Sequence, residues 1–138
     1  RGCWERYASA TALIAQTKDE MRHAQDSMMW ELVDNNIDAV NGRTAFDAMR
    51  KGDVAAKRVV DRYIYYVACG IINAINIFQP EIICVGGGIG HEKETLLEPL
   101  RQHVRRERYS MYSSKQTRIC SAELGNDAGV IGAALLDH

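Results

Sequence analysis

The sequence has no excess of charge of either sign: 17 Lys and Arg stand against 18 Asp and Glu, a formal net charge of −1. Surfaces that bind nucleic acid need clustered excess Lys and Arg, so charge makes no case for a nucleic-acid partner. The one basic cluster, Arg101 to Arg108, alternates with Glu107 and apolar positions and reads as a solvated helix face. Long hydrophobic runs are missing too. Asn73, Asn76 and Gln79 interrupt the longest apolar stretches, which fall short of the roughly 18 to 20 residues of a membrane span. No basic-then-apolar start resembles a secretory signal. Cysteines in Cys-x-x-Cys pairs, as in a zinc knuckle or a thioredoxin-like site, are also lacking: Cys3, Cys69, Cys84 and Cys120 are widely spaced. Three of them lie in apolar segments, and they are expected to be reduced, buried thiols of a cytoplasmic protein. Met is missing from position 1, where Arg stands, so the chain is expected to begin in the middle of a gene product.

What is present fits one globular domain, with 46% hydrophobic and 25% charged residues in 138. Tyr7 to Ala24, rich in Ala and helix formers, predicts one or two short helices, with Ser9 or Thr11 as a cap. A short helix and a loop follow between Gln25 and Gly42. Thr44 is the expected N-cap of a helix that Gly52 stops. Asp53 then opens the most periodic segment, in which Val60, Ile64, Val67, Ile71, Ile75 and Phe78 recur every three or four residues. They predict one helix of about seven turns, ended by Pro80, which disfavours helical geometry at Gln79.

Ile82 to Val85 is an apolar run too short for a helix and suited to a strand covered on both faces. Gly86, Gly87 and Gly88 follow at once. Three glycines can adopt positive φ, expose consecutive N–H groups and admit a flat base or a phosphate; alternatively they only end a strand. A helix is expected from Glu94 to Arg106, kinked or restarted at Pro99. Thr117 to Ser121 reads as a second strand, parallel to the first across the intervening helix. Asn126 is the expected cap of a closing helix with Val130, Ile131, Ala134 and Leu135 as its apolar members. Two strands make a poor sheet, so partner strands are expected from outside this chain.

Six stretches in order resemble the ROK family of bacterial sugar kinases and sugar-responsive repressors. They are Gly2-Cys3-Trp4-Glu5-Arg6-Tyr7-Ala8-Ser9, Gly52-Asp53-Val54-Ala55-Ala56, Asn73 to Glu81, Val85-Gly86-Gly87-Gly88, Leu96-Leu97-Glu98-Pro99-Leu100, and Leu124 to Leu135. The resemblance implies an α/β fold, the C-terminal part of an actin-like ATPase (ribonuclease H-like) domain, mostly helical with two parallel strands. Residues 1–138 are then a C-terminal domain fragment. The N-terminal domain, with its phosphate loop and catalytic Asp, and the first strands of this domain would lie outside the chain. No catalytic residue is placed on it.

On the same resemblance, Glu5 matches a glutamate that accepts hydrogen bonds from sugar hydroxyls. Spacing alone would make it a surface residue in a first helical turn. Gly86, Gly87 and Gly88 match an adenosine-binding turn, and Cys3 matches the last cysteine of a structural zinc site whose other ligands precede residue 1. The implied cofactors are ATP with Mg, and Zn in the intact protein. Asn73 and Asn76 read as packing or capping amides, and His91, His23, His103 and His138 as solvent-facing. The small residues Ala128, Gly129, Gly132 and Ala133 would let the last helix pack closely on the sheet. The resemblance leads to an ATP-dependent hexose kinase, most simply a glucokinase, with a sugar-responsive repressor as the alternative. A third reading is a subdomain whose long apolar helix supports a homodimer.

Overall fold

The computed structural model describes residues 2–124 and 127–135. The described residues form seven α-helices and two strands, with the long fifth helix at the centre: α1 (Glu5–Ala8), α2 (Ala10–His23), α3 (Met28–Glu31), α4 (Thr44–Arg50), α5 (Val54–Phe78), β1 (Ile82–Val85), α6 (Glu94–Glu107), β2 (Arg118–Ser121) and α7 (Ala128–Ala134). Short 3-10 turns at Ile37–Ala39 and Gly88–Glu92 complete the description. No described helix is long and apolar enough to cross a membrane.

The periodicity of α5 determines the core. Val60, Ile64, Val67, Ile71 and Ile75 are buried on one stripe, joined by Val59, Tyr63 and Ala68, so α2, α4 and α6 all pack on this helix. Phe78 departs from the expectation at 77% exposed, because it lies in the last turn of α5, beyond its packing partners. Gln79 then takes the left-handed conformation (φ 43°) and closes the helix with its N–H on Ile75 O, just ahead of Pro80.

The start of α5 is held by Asp53, as its position after Gly52 (φ +93°) predicts. One carboxylate oxygen accepts from the Ala56 N–H at 2.7 Å; the other accepts from Ser27 Oγ at 2.9 Å and the Met28 N–H at 2.6 Å. One side chain therefore caps α5 and ties it to the start of α3. Burial opposes the charge, but hydrogen bonds from Ala56, Ser27, Met28 and Ala55 outweigh it and hold the Asp53 carboxyl below its ordinary 3.8. The stabilisation is fully present above the unfolded-state value and is lost as pH falls through the lower folded-state value. Asp53→Ala is expected to cost about 1–3 kcal/mol at pH 7. The deficit of Asp53→Asn, which keeps a capping oxygen, should shrink as pH falls below 3.8, as thermal melts at neutral and acid pH will read. A deficit that is the same at both would contradict this role.

Elsewhere the caps differ in part from the sequence reading. Ser9 caps α2, accepting from the Ala12 N–H at 3.0 Å. Thr44 is not the cap of α4 but its first residue, and its hydroxyl accepts from the Asn41 N–H instead. Helix α6 runs unbroken through Pro99. The phenol of Tyr63, which donates to Ala8 O at 3.0 Å, joins α5 to the end of α1, and burial pushes it up to about 12.

β1 and β2 are parallel neighbours, with Cys84 opposite Cys120 and Val85 opposite Ser121. The expected cover on both faces of β1 is not found. Ile83 and Val85 are half-buried towards the helices, while Ile82 and Cys84 are exposed, because no described element lies over that face. The expectation of buried thiols is corrected too: Cys84 is exposed on this open face and Cys3 ahead of α1, Cys69 and Cys120 are half-buried, and all four are free. Of the small residues expected to pack α7 on the sheet, Gly132 and Ala133 are exposed, and the side chain of Ala128 and the surroundings of Gly129 lie outside the description. Val130, Ile131 and Leu135 are exposed and the position of a Gly132 side chain is open space. The expected cap Asn126, and His138, lie outside the described residues.

Candidate functional site

The apolar strand β1 delivers the chain to the glycines at the carboxyl end of the sheet, where open α/β sheets bind ligands. Gly86, Gly87 and Gly88 are all exposed. Gly87 has φ 73° and ψ −169°, a region that only glycine adopts readily. The turn then folds back on its own strand: a Cβ on Gly90 would stand 3.1 Å from Val85 O, and Ser121 Oγ donates to Gly90 O at 3.2 Å. Behind it, the buried carboxylate of Glu92 pairs with Arg50, which also holds Asp47 at 2.6 Å. Helix α4 thereby anchors the end of the glycine turn.

A cleft of about 520 Å³ opens beside the turn, between Gly86 and Gly87, the start of α6 and the end of β2. That volume lies within the usual range for small-ligand sites. Lys93, Glu94 and Arg101 supply charge on one wall, with Arg101 paired to Glu94 at 2.6 Å; Ser121 and Glu123 face them. On the other side of the turn, Gly88 and Ile89 border a second hollow of about 470 Å³ with Ala10 and the 41–43 loop. The turn is thus a thin glycine wall between two hollows. His91 is exposed and lines both, with no carboxylate pairing to it among the described residues. The sequence reading places a loop up to Gly42 but gives it no part in a site, since Asn41 to Arg43 carry no periodicity and a single glycine.

Glu5 stands apart from the glycines. It is exposed in the first turn of α1 and borders a separate hollow of about 430 Å³ with Ser9 and Thr11. Its carboxylate has no hydrogen bond or ion pair among the described residues. What fixes its position is the neighbouring Trp4. The indole N–H donates to Tyr66 O at 2.7 Å, and its ring lies where a Gly70 side chain would be, at 2.0 Å from an ideal Cβ. A glycine inside a helix costs about 1 kcal/mol relative to alanine; here it admits the ring that carries α1. Gly70→Ala is expected to displace Trp4 despite the gain in helix propensity. In a Trp30→Phe background its emission should shift to the red, and an unchanged spectrum would contradict this contact.

Cys3, exposed and next to Trp4, has no ligand set around it. Among the described residues no group of three or more His, Cys, Asp or Glu could hold a metal ion. Cys84 and Cys120 face each other on the open side of the sheet with their sulfurs 3.5 Å apart. The thiol of Cys120, and then burial, push that of Cys84 up. Of the two amides expected to pack or cap, Asn76 caps no helix but accepts from the Tyr109 N–H at 3.0 Å and so ties the end of α5 to the segment after α6, and both it and Asn73 are exposed. His103 is half-buried rather than solvent-facing, its ring edge-on to Tyr65 and 3.7 Å from Glu107.

The sequence model described as the ROK family matches residues 1–138. The glucokinase of Thermotoga maritima is 36% identical over 135 residues, covering 97% of this chain and 42% of that protein. Among solved structures, a ROK family glucokinase from Streptomyces griseus in complex with glucose and AMPPNP superposes with a TM-score of 0.86 at 30% identity. It covers 97% of this chain and 44% of its own. A weaker likeness, 26% identity over 142 residues, joins the whole of this chain to 32% of the xylose repressor of Bacillus subtilis. The chain therefore spans about two fifths of the length of the curated glucokinase it matches.

Proposed function

This chain belongs to the ROK family, and from that premise we propose that it is the C-terminal, nucleotide- and sugar-contacting domain of an ATP-dependent hexose kinase, most simply a glucokinase. The observation that carries the proposal is the Gly86 to Gly88 wall beside a cleft of ligand size, in a chain that superposes on a glucokinase holding glucose and an ATP analogue. Gly86, Gly87 and Gly88 border the adenosine, where a flat base needs close approach to backbone. Glu5 accepts hydrogen bonds from hexose hydroxyls, a task that suits a carboxylate with no partner among the described residues. The phosphate loop and the catalytic base belong to residues outside this chain, so the 138 residues alone are expected to be inactive. Transfer of the γ-phosphoryl group of Mg-ATP depends mainly on positioning and charge stabilisation, and the part given to this chain is positioning.

Cys3 is assigned as one thiolate of a structural zinc site in the intact protein, completed by three ligands from elsewhere. Metal analysis of that protein is expected to find one zinc per chain, lost on Cys3→Ser. The intact enzyme is further proposed to be a cytoplasmic homodimer of carbohydrate breakdown. Amide shifts on titration with a non-hydrolysable ATP analogue test the nucleotide assignment: they should centre on residues 85–90 and 120–123. Shifts confined to other parts of the chain would refute it.

The likeness to a xylose repressor supports a second reading, a sugar-responsive DNA-binding protein built on the same domain. It differs in what it requires upstream, a helix-turn-helix in place of a phosphate loop. Sugar-dependent ADP formation separates the two.

A further inference from the structure

The basic cluster read from sequence as a solvated face has a different shape in the fold. Arg101 and Arg105 follow at i and i+4 along α6, with buried Val104 between them, and therefore share one face of the helix, while Arg108 stands just past its end in extended geometry. That face turns towards β2. With Thr117, Arg118 and Ile119 it encloses a groove of about 330 Å³, into which four arginines converge.

Their pairing is uneven. Arg101 is neutralised by Glu94 at 2.6 Å and Glu98 at 3.9 Å, and two of its nitrogens donate to Ile119 O at 3.0 and 2.9 Å. The strand carbonyl in the groove is thereby covered and presents no lone pair to an incoming anion. Thr117 directs its hydroxyl proton to Pro80 O at 2.6 Å. Arg105, Arg108 and Arg118 have no carboxylate within ion-pair distance among the described residues, since the nearby Glu107 lies against His103. The Nε of Arg108 is moreover sealed from solvent without a hydrogen-bond partner. A buried donor left unmatched costs about 1–3 kcal/mol, more on a charged group. Three guanidinium groups around one hollow, without a carboxylate partner among the described residues, also repel one another.

We propose that this groove binds a phosphate group, as inorganic phosphate or as the monoester of a small metabolite. Guanidinium forks match the oxygens of such an anion in pairs. The negative end of the α6 dipole works against the site, so the side chains carry the binding; Arg105 and Arg106 in the last turn offset that dipole. Arg101 also lines the glycine cleft, so the two sites share one residue.

The test is titration of the intact protein with inorganic phosphate at constant ionic strength, read by calorimetry and by amide shifts. Saturable binding is expected, with shifts at Arg105, Arg108, Arg118 and Ile119. Arg105→Gln and Arg108→Gln together should weaken it at least tenfold. Arg106→Gln, which removes a charge from the same helix end but does not line the groove, should change it less than twofold. Arg118→Gln, on the other element, should weaken it as well, so the test does not depend on α6 tolerating substitution. A hexose monophosphate that binds more tightly than phosphate identifies an ester as the ligand; equal binding identifies the free anion. Absence of saturable binding, the same shifts with chloride, or an equal loss in Arg106→Gln overturns the proposal. No step of this test uses phosphotransfer, so its failure would leave the nucleotide assignment intact.

Discussion

Glu5→Ala in the intact protein is expected to raise the KM for the hexose at least tenfold and to leave the KM for ATP within about twofold. Hydrogen bonds to a charged group contribute about 1.5–3 kcal/mol each, and the Glu5 carboxylate has no competing partner among the described residues. The fold should tolerate the change, because the side chain is exposed on α1 and the segment is held by Trp4 on Tyr66 O and by the space at Gly70. Glu5→Gln, which keeps one acceptor oxygen, should fall between wild type and alanine. Steady-state kinetics with both substrates varied will check this, and an unchanged hexose KM with unchanged sugar preference would remove Glu5 from the site.

Gly87→Val is expected to act on the other substrate, raising the KM for ATP about tenfold with little effect on the KM for the hexose. The reason is conformational, since nothing lies within 4 Å of where the new Cβ would stand. A φ of 73° with ψ −169° costs a non-glycine residue about 1–3 kcal/mol, so the turn is expected to relax and the wall to move. Gly86→Ala makes a useful contrast. Its Cβ would meet Ala122 Cβ at 3.4 Å, an ordinary contact, and Gly86 has no positive φ. That variant should fold normally, with a KM for ATP less than threefold changed. Equal effects of the two substitutions would mean that lost space, rather than backbone geometry, is what matters.

The parts of the structure legible in the sequence are those governed by local rules. The buried stripe of α5 follows from apolar spacing, the start of α5 from Asp53 after a positive-φ glycine, and the parallel pairing from a helix between two short apolar strands. Contacts between distant segments carry no such signal. Nothing in the spacing around Gly70 announces a partner, and only the fold puts the Trp4 ring against it. Arg101 to Arg108 alternate with acidic and apolar residues along the chain, yet α6 sorts Arg101 and Arg105 to one face, its end brings Arg108 beside them and β2 adds a fourth. The cover of β1 was misread for a related reason: an apolar run records that a strand is suited to burial, not which element lies over it. The candidate site divides in the same way. The glycines stand out in sequence, whereas the separate hollow that Glu5 borders and the loop opposite Gly88 emerge only from the packing of α1, α2 and α4.

The most direct test is sugar-dependent formation of ADP by the intact protein supplied with Mg-ATP and glucose. The account predicts ADP release that requires the hexose, saturates with it, and loses affinity for ATP in Gly87→Val and for sugar in Glu5→Ala. No hexose-dependent ADP with glucose or any other hexose, together with sugar-sensitive binding to DNA, would contradict it.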